Sequence, residues 1–82
     1  MPEGIKIYIE RELRVGEWKL SAYKNNMFVG FLLGYQNHKA GTVKCFPYMK
    51  ILRGIFKEGD FPFVCRFDEL EWASRRKAVT NE

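Results

Sequence analysis

Pro47-Tyr48-Met49-Lys50-Ile51-Leu52-Arg53-Gly54-Ile55-Phe56-Lys57-Glu58-Gly59 is the stretch whose reading decides the fold. Tyr48, Ile51, Leu52, Ile55 and Phe56 fall at i, i+3, i+4, i+7 and i+8, the stripe of an amphipathic helix. Lys50, Arg53 and Lys57 fall on the opposite side, so one segment offers an apolar seam to a core and a row of cations to solvent. Pro47 suits a first helical position and Gly59 the position just past an end. Phe46 is a poor N-cap, and Gly54 costs about 1 kcal/mol relative to Ala inside a helix. Strand, turn and strand over the same residues is the competing reading.

Working outward, residues 5–15 alternate. Ile5, Ile7, Ile9, Leu13 and Val15 take odd positions, Lys6, Tyr8, Glu10, Glu12 and Arg14 take even ones, and Arg11 breaks the pattern. Period two over this length predicts a strand with one buried face, bent or bulged near Arg11. Gly16 marks a turn into a second strand with Trp18, Leu20 and Ala22 inside. Lys24-Asn25-Asn26 marks the next turn, because Asn tolerates positive φ. Residues 27–35 are nearly all apolar, as in a central strand covered on both faces, and 42–46 form a short fourth strand. Beyond the candidate helix, 61–67 reads as a strand beginning near Pro62. Asp68 as N-cap, Glu71 three residues on, Phe67 opposite Trp72, and Arg75, Arg76 and Lys77 at the end predict a second helix.

The expected architecture is α+β: a small antiparallel sheet or partly open barrel of about five strands, one helix before the last strand and a C-terminal helix. At 82 residues we expect one compact domain over 1–78 and a frayed tail at 79–82. A chain this small buries only roughly 60% of its unfolded surface, and the 16% aromatic content supplies the large side chains its core needs. No apolar run approaches the ~18 residues of a bilayer span, and the first residues lack the pattern of a secretory signal. A cytoplasmic location is therefore expected. Cys45 and Cys65 form no CxxC pair and read as two buried thiols.

The net charge of +4 hides an asymmetry. Between Trp18 and Lys57 there is no carboxylate, while Lys19, Lys24, Lys39, Lys44, Lys50, Arg53 and Lys57 are cationic. A one-signed field of this kind favours polyanions or acidic protein faces. Along a helix, Lys50, Arg53 and Lys57 would stand about 4.5 to 10 Å apart, a span comparable with successive phosphates. Lys39, Lys44, Arg75, Arg76 and Lys77 could extend the patch. Tyr8, Tyr23 and Tyr35, at polar parity or a strand end, are candidates for stacking bases.

Catalytic chemistry finds little support. His38 is the lone histidine and sits in a polar loop with no second ligand at metal spacing. Glu10 and Glu12 would lie roughly 6 to 7 Å apart on a strand face, yet Lys6, Arg11 and Arg14 bracket them as on a solvated strand. Glu17-Trp18-Lys19 has a spacing seen in some metal-dependent nucleases, but three residues match too easily. No phosphate loop or nucleophile elbow is present. The sequence therefore predicts no enzyme, no cofactor and no metal site. It predicts a small basic binding domain whose cations engage nucleic acid. The alternatives are an inhibitor or adaptor, by size resembling phage accessory proteins, that docks on an acidic host protein, and a domain that captures a small anionic ligand. A sheet edge or an apolar helix side would also allow a homodimer.

Overall fold

The computed structural model describes residues 4–51 and 54–75, of which 64% lie in strands. The strands are β1 (Ile5–Arg14), β2 (Glu17–Lys24), β3 (Met27–Asn37), β4 (Thr42–Ile51), β5 (Phe63–Arg66) and β6 (Glu71–Trp72). They form one sheet in the order β5-β4-β3-β2-β1-β6, antiparallel throughout except that β6 runs parallel to β1. The sheet curls into a half-barrel, and among the described residues there is no α-helix, only three-residue 3-10 turns. The α+β expectation is thus corrected to an all-β fold.

The strand meander follows the period-two reading. β1 slips register between Ile9 and Arg11 and again between Glu12 and Arg14, which places the irregularity near Arg11. Asn25 and Asn26 take φ of 52° and 66° between β2 and β3, the two positive values that match a hairpin to strand twist. The 47–59 helix does not exist. Because β3 is 11 residues long, its ladder needs a partner beyond Phe46, and β4 supplies it by pairing Pro47 with Leu32, Tyr48 with Phe31 and Ile51 with Gly30. Pro47 lies past the last β4–β5 pair, Cys45 with Phe63, so on that side its missing N–H breaks no ladder bond. Gly54 then turns the chain at φ 88°, a left-handed conformation a helix interior does not use.

The second expected helix is also absent. Phe67–Glu69 and Ala73–Arg75 are 3-10 turns flanking β6, which pairs with Tyr8 and Ile9 and so covers part of the β1 edge. Asp68 caps nothing: its carboxylate accepts from Arg66 Nε at 3.3 Å and Nη2 at 3.2 Å. Phe67 and Trp72 do not staple a helix start, because both rings pack on Trp18, at 5.5 and 5.7 Å. The expected tail at 79–82 lies outside the described residues.

The inner face of the curl is the core. Ile7, Ile9, Trp18, Leu20, Ala22, Val29, Leu32, Val43 and Cys45 line it, and the segment after Gly54 closes it with Phe56, Phe63 and the partly buried Ile55, Phe61, Phe67 and Leu70. No described helix is long and apolar enough to cross a membrane. Gly34 sets how tightly the sheet curls. A Cβ there would stand 2.6 Å from Val43 Cγ1 and 2.8 Å from Leu20 Cδ1, two fully buried side chains on the flanking strands. Neither has room to retreat. Gly34→Ala should therefore cost about 1–3 kcal/mol of stability, read as a lowered denaturation midpoint; an unchanged midpoint would refute the close approach.

Candidate nucleic-acid interface

Register places a second aromatic system on the outer face. One cross-strand row reads Tyr8, Ser21, Phe31, Tyr48; the next toward the Gly16 turn reads Arg11, Lys19, Leu33, Phe46; the last reads Arg14, Glu17, Tyr35, Lys44, Val64. At the other end Lys6 faces Tyr23, which faces Phe28. The rings form a chain of edge contacts, with Tyr8–Tyr23 at 5.4 Å, Tyr23–Phe28 at 5.6 Å and Phe28–Phe31 at 4.9 Å. Tyr35 pairs separately with Phe46 at 5.6 Å. Cations stand among them: Lys19 Nζ lies 4.2 Å from the centre of the Phe31 ring, and Lys6 reaches Glu71 at 3.3 Å. The acid-free window folds into the middle of the sheet, because β2, β3 and β4 are consecutive neighbours.

The predicted site residues divide. Tyr23 and Tyr35 are partly open, but Tyr8 is only 7% exposed and meets the Tyr23 ring edge to face. Lys39 and Lys44 are exposed and come together beside Tyr35, lining one cleft with His38. Lys57 is exposed next to the 3-10 turn Glu58–Asp60, and Arg75 is exposed in the turn after β6. Neither belongs to the outer-face rows. Arg53, Arg76 and Lys77 lie outside the described residues, as does the side chain of Lys50, and the helix face meant to align Lys50, Arg53 and Lys57 is absent. Lys19, Phe28 and Phe31 were not singled out by the sequence. The run that holds Phe28 and Phe31, 27–35, reads as buried on both faces, whereas Phe28 is 42% exposed. The signal that could have found them is Lys19 and Phe31 sharing a face once the Asn25-Asn26 hairpin fixes the register.

Two of the acidic candidates, Glu12 and Glu17, are engaged locally. Glu12 Oε2 accepts the Gly16 amide at 3.2 Å, and Glu17 pairs with Arg14 at 3.3 Å. The Glu17 carboxylate beside the Tyr35 hydroxyl pushes the phenol above its ordinary value. In Glu17-Trp18-Lys19 the outer residues face outward and Trp18 inward, its Nε1 donating to Gln36 Oε1 at 3.0 Å. No group of three His, Cys, Asp or Glu among the described residues could hold a metal.

No family model, curated protein or solved structure matches this chain.

Two internal features are testable. Ser21, enclosed on the outer face beside Tyr8 and Phe31, has a fully buried Oγ without a hydrogen-bond partner. Such a hydroxyl carries an uncompensated desolvation cost of about 1–3 kcal/mol. Ser21→Ala should leave stability unchanged or raise it, and a clear loss in thermal unfolding would count against the packing described. Cys45 and Cys65 are free thiols on the neighbouring strands β4 and β5; Cys45 is fully buried and donates to the Val43 carbonyl at 3.9 Å, whereas Cys65 is half-buried. The neighbouring Cys65 thiol and burial push Cys45 far up, while the neighbouring Cys45 thiol holds Cys65 below its ordinary value. Because the thiolate is the nucleophile, site-resolved mass spectrometry should find Cys65 alkylated before Cys45; equal rates would contradict the arrangement.

Proposed function

We propose that this chain is a binding module that takes single-stranded nucleic acid on the outer face of its curled sheet. The supporting observation is the coincidence on one face of partly exposed rings, Tyr23, Phe28, Phe31 and Tyr35, with Lys19 and Lys44, across three strands that contribute no carboxylate between Trp18 and Lys57. Bases have apolar flat faces and the backbone is anionic, so such a binder needs rings to stack on and cations beside them. In the Lys19–Phe31 contact the ammonium occupies the ring. Arrival of a base moves Lys19 aside to the neighbouring phosphate, exchanging one cation–π contact for a stack and an ion pair. A duplex hides its base faces, so the preference is for single strands. A cytoplasmic setting fits this reading, since it would keep Cys45 and Cys65 as thiols.

The test is fluorescence anisotropy with a mixed-sequence oligonucleotide as single strand and as duplex. The single strand should bind more tightly, with a log–log salt slope of roughly −2 to −3 for three or four phosphate contacts. Phe28→Leu should weaken binding roughly 5- to 150-fold, as expected from the worth of one stacked base, and Lys19→Gln should flatten the salt slope. Lys57→Gln and Arg75→Gln should change little. Absence of binding at low salt, or loss with Lys57→Gln but not Phe28→Leu, would reject the outer face and favour an acidic protein partner.

A further inference from the structure

Two clefts open at the sheet end that carries the Gly16 and 38–41 turns, and Tyr35, Gln36 and His38 line both. The larger, about 610 Å³, is completed by Asn37, Lys39, Thr42, Lys44 and Val64. That volume lies within the range of small-molecule sites, roughly 300–1,000 Å³. Hydrogen-bond bookkeeping gives its lining a sign. Trp18 Nε1 can only donate, so the Gln36 atom that meets it at 3.0 Å is the amide oxygen, and the amide NH2 remains as donor. Asn37 Oδ1 likewise accepts the Ala40 amide at 3.1 Å, leaving its NH2. Lys39 and Lys44 have donors only. Among the described residues no carboxylate lines this cleft; Glu17, held by Arg14, lines the smaller one.

We propose that the larger cleft holds one phosphorylated nucleotide unit, its base against the Tyr35 ring and its phosphate among the Asn37, Lys39 and Lys44 donors. A phosphate is rich in acceptors and matches a lining whose amide oxygens are already used. The exposed ring beside those donors supplies the plane a base requires, and its edge contact with Phe46 at 5.6 Å braces that plane. The inference rests on the nucleic-acid reading for its choice of a nucleotide over other anions. The unit is either a free mononucleotide or the phosphorylated end of a strand.

Adenosine 5′-monophosphate, adenosine and inorganic phosphate, titrated separately onto isotope-labelled protein and followed by amide NMR, test the site. The monophosphate should give saturable shifts at Asn37, Lys39 and Lys44, inorganic phosphate weaker shifts at the same residues, and adenosine the weakest. Asn37→Asp keeps the oxygen that accepts from Ala40 but replaces the donor with a negative charge, so affinity should fall roughly tenfold or more; Lys44→Gln, at an exposed position, should lower it with the fold intact. An oligonucleotide that binds more tightly with a 5′-phosphate than without, through the same residues, identifies a strand end; saturation by the monophosphate with no such preference identifies a free nucleotide. No saturable shift at these residues, or full binding by Asn37→Asp, overturns the inference. If oligonucleotides still bind and depend on Phe28, the outer-face reading survives that failure. Saturation by the monophosphate without any oligonucleotide binding upholds the cleft and rejects the outer face.

Discussion

The close approach at Gly34 is the constraint on which the rest of the structure depends. Leu20 on β2 and Val43 on β4 meet over the one position of β3 where no side chain stands between them. Three neighbouring strands can therefore bend toward the inner face, which a side chain at this point would oppose. The bend makes a concave side narrow enough for Phe56, Phe61 and Phe63 to fill, with Phe56 and Phe63 stacked at an interplanar angle of 2°. The same bend makes the opposite face convex.

What was legible in the sequence was local. β1 and β2 alternate cleanly, Gly16 and Asn25-Asn26 have the turn chemistry their φ values need, and the bulge near Arg11 showed as a break in parity. What was not legible was decided by partners far along the chain. The stripe in 47–59 mixes two destinations, since Tyr48 faces outward opposite Phe31 and Phe56 is in the core. A spacing of eight residues that suits a helix seam is equally produced by a strand, a glycine turn and a return. At 68–77 the start signals were real as residue types. Asp68 pairs with Arg66, and Glu71 and Trp72 pair with the edge of β1, so this segment is a 3-10 turn and a short strand rather than an α-helix.

The candidate site shows the same division. The absence of carboxylates between Trp18 and Lys57 was visible at once, and it became a surface because consecutive antiparallel strands are spatial neighbours. The alignment of Lys50, Arg53 and Lys57 along one face needed a helix, and Thr42–Ile51 is strand β4 instead. Lys39 and Lys44 were named and do converge, on a cleft whose aromatic wall, Tyr35, was also named. Tyr8 was assigned outward by parity, correctly, yet parity says nothing about cover, and Tyr23 supplies it.

The outer rings have two physical explanations, and exposure separates them. Cross-strand aromatic pairs stabilise a sheet by roughly 0.2–1 kcal/mol each, which accounts for rings that are mostly covered, such as Tyr8 edge to face with Tyr23. It does not account for Phe28 and Tyr35, each 42% exposed at opposite ends of β3. The concave core is already closed by the segment after Gly54, so neither ring is needed to complete it. Along β3 these two positions are seven residues apart, about 23 Å of extended strand, with Phe31 and Lys19 between them. A flexible anionic chain with flat bases can meet both rings by following β3. A compact ligand can meet only one, and that is why the cleft at Tyr35 and the ring cluster at Phe28 are separable in their chemistry while belonging to one face.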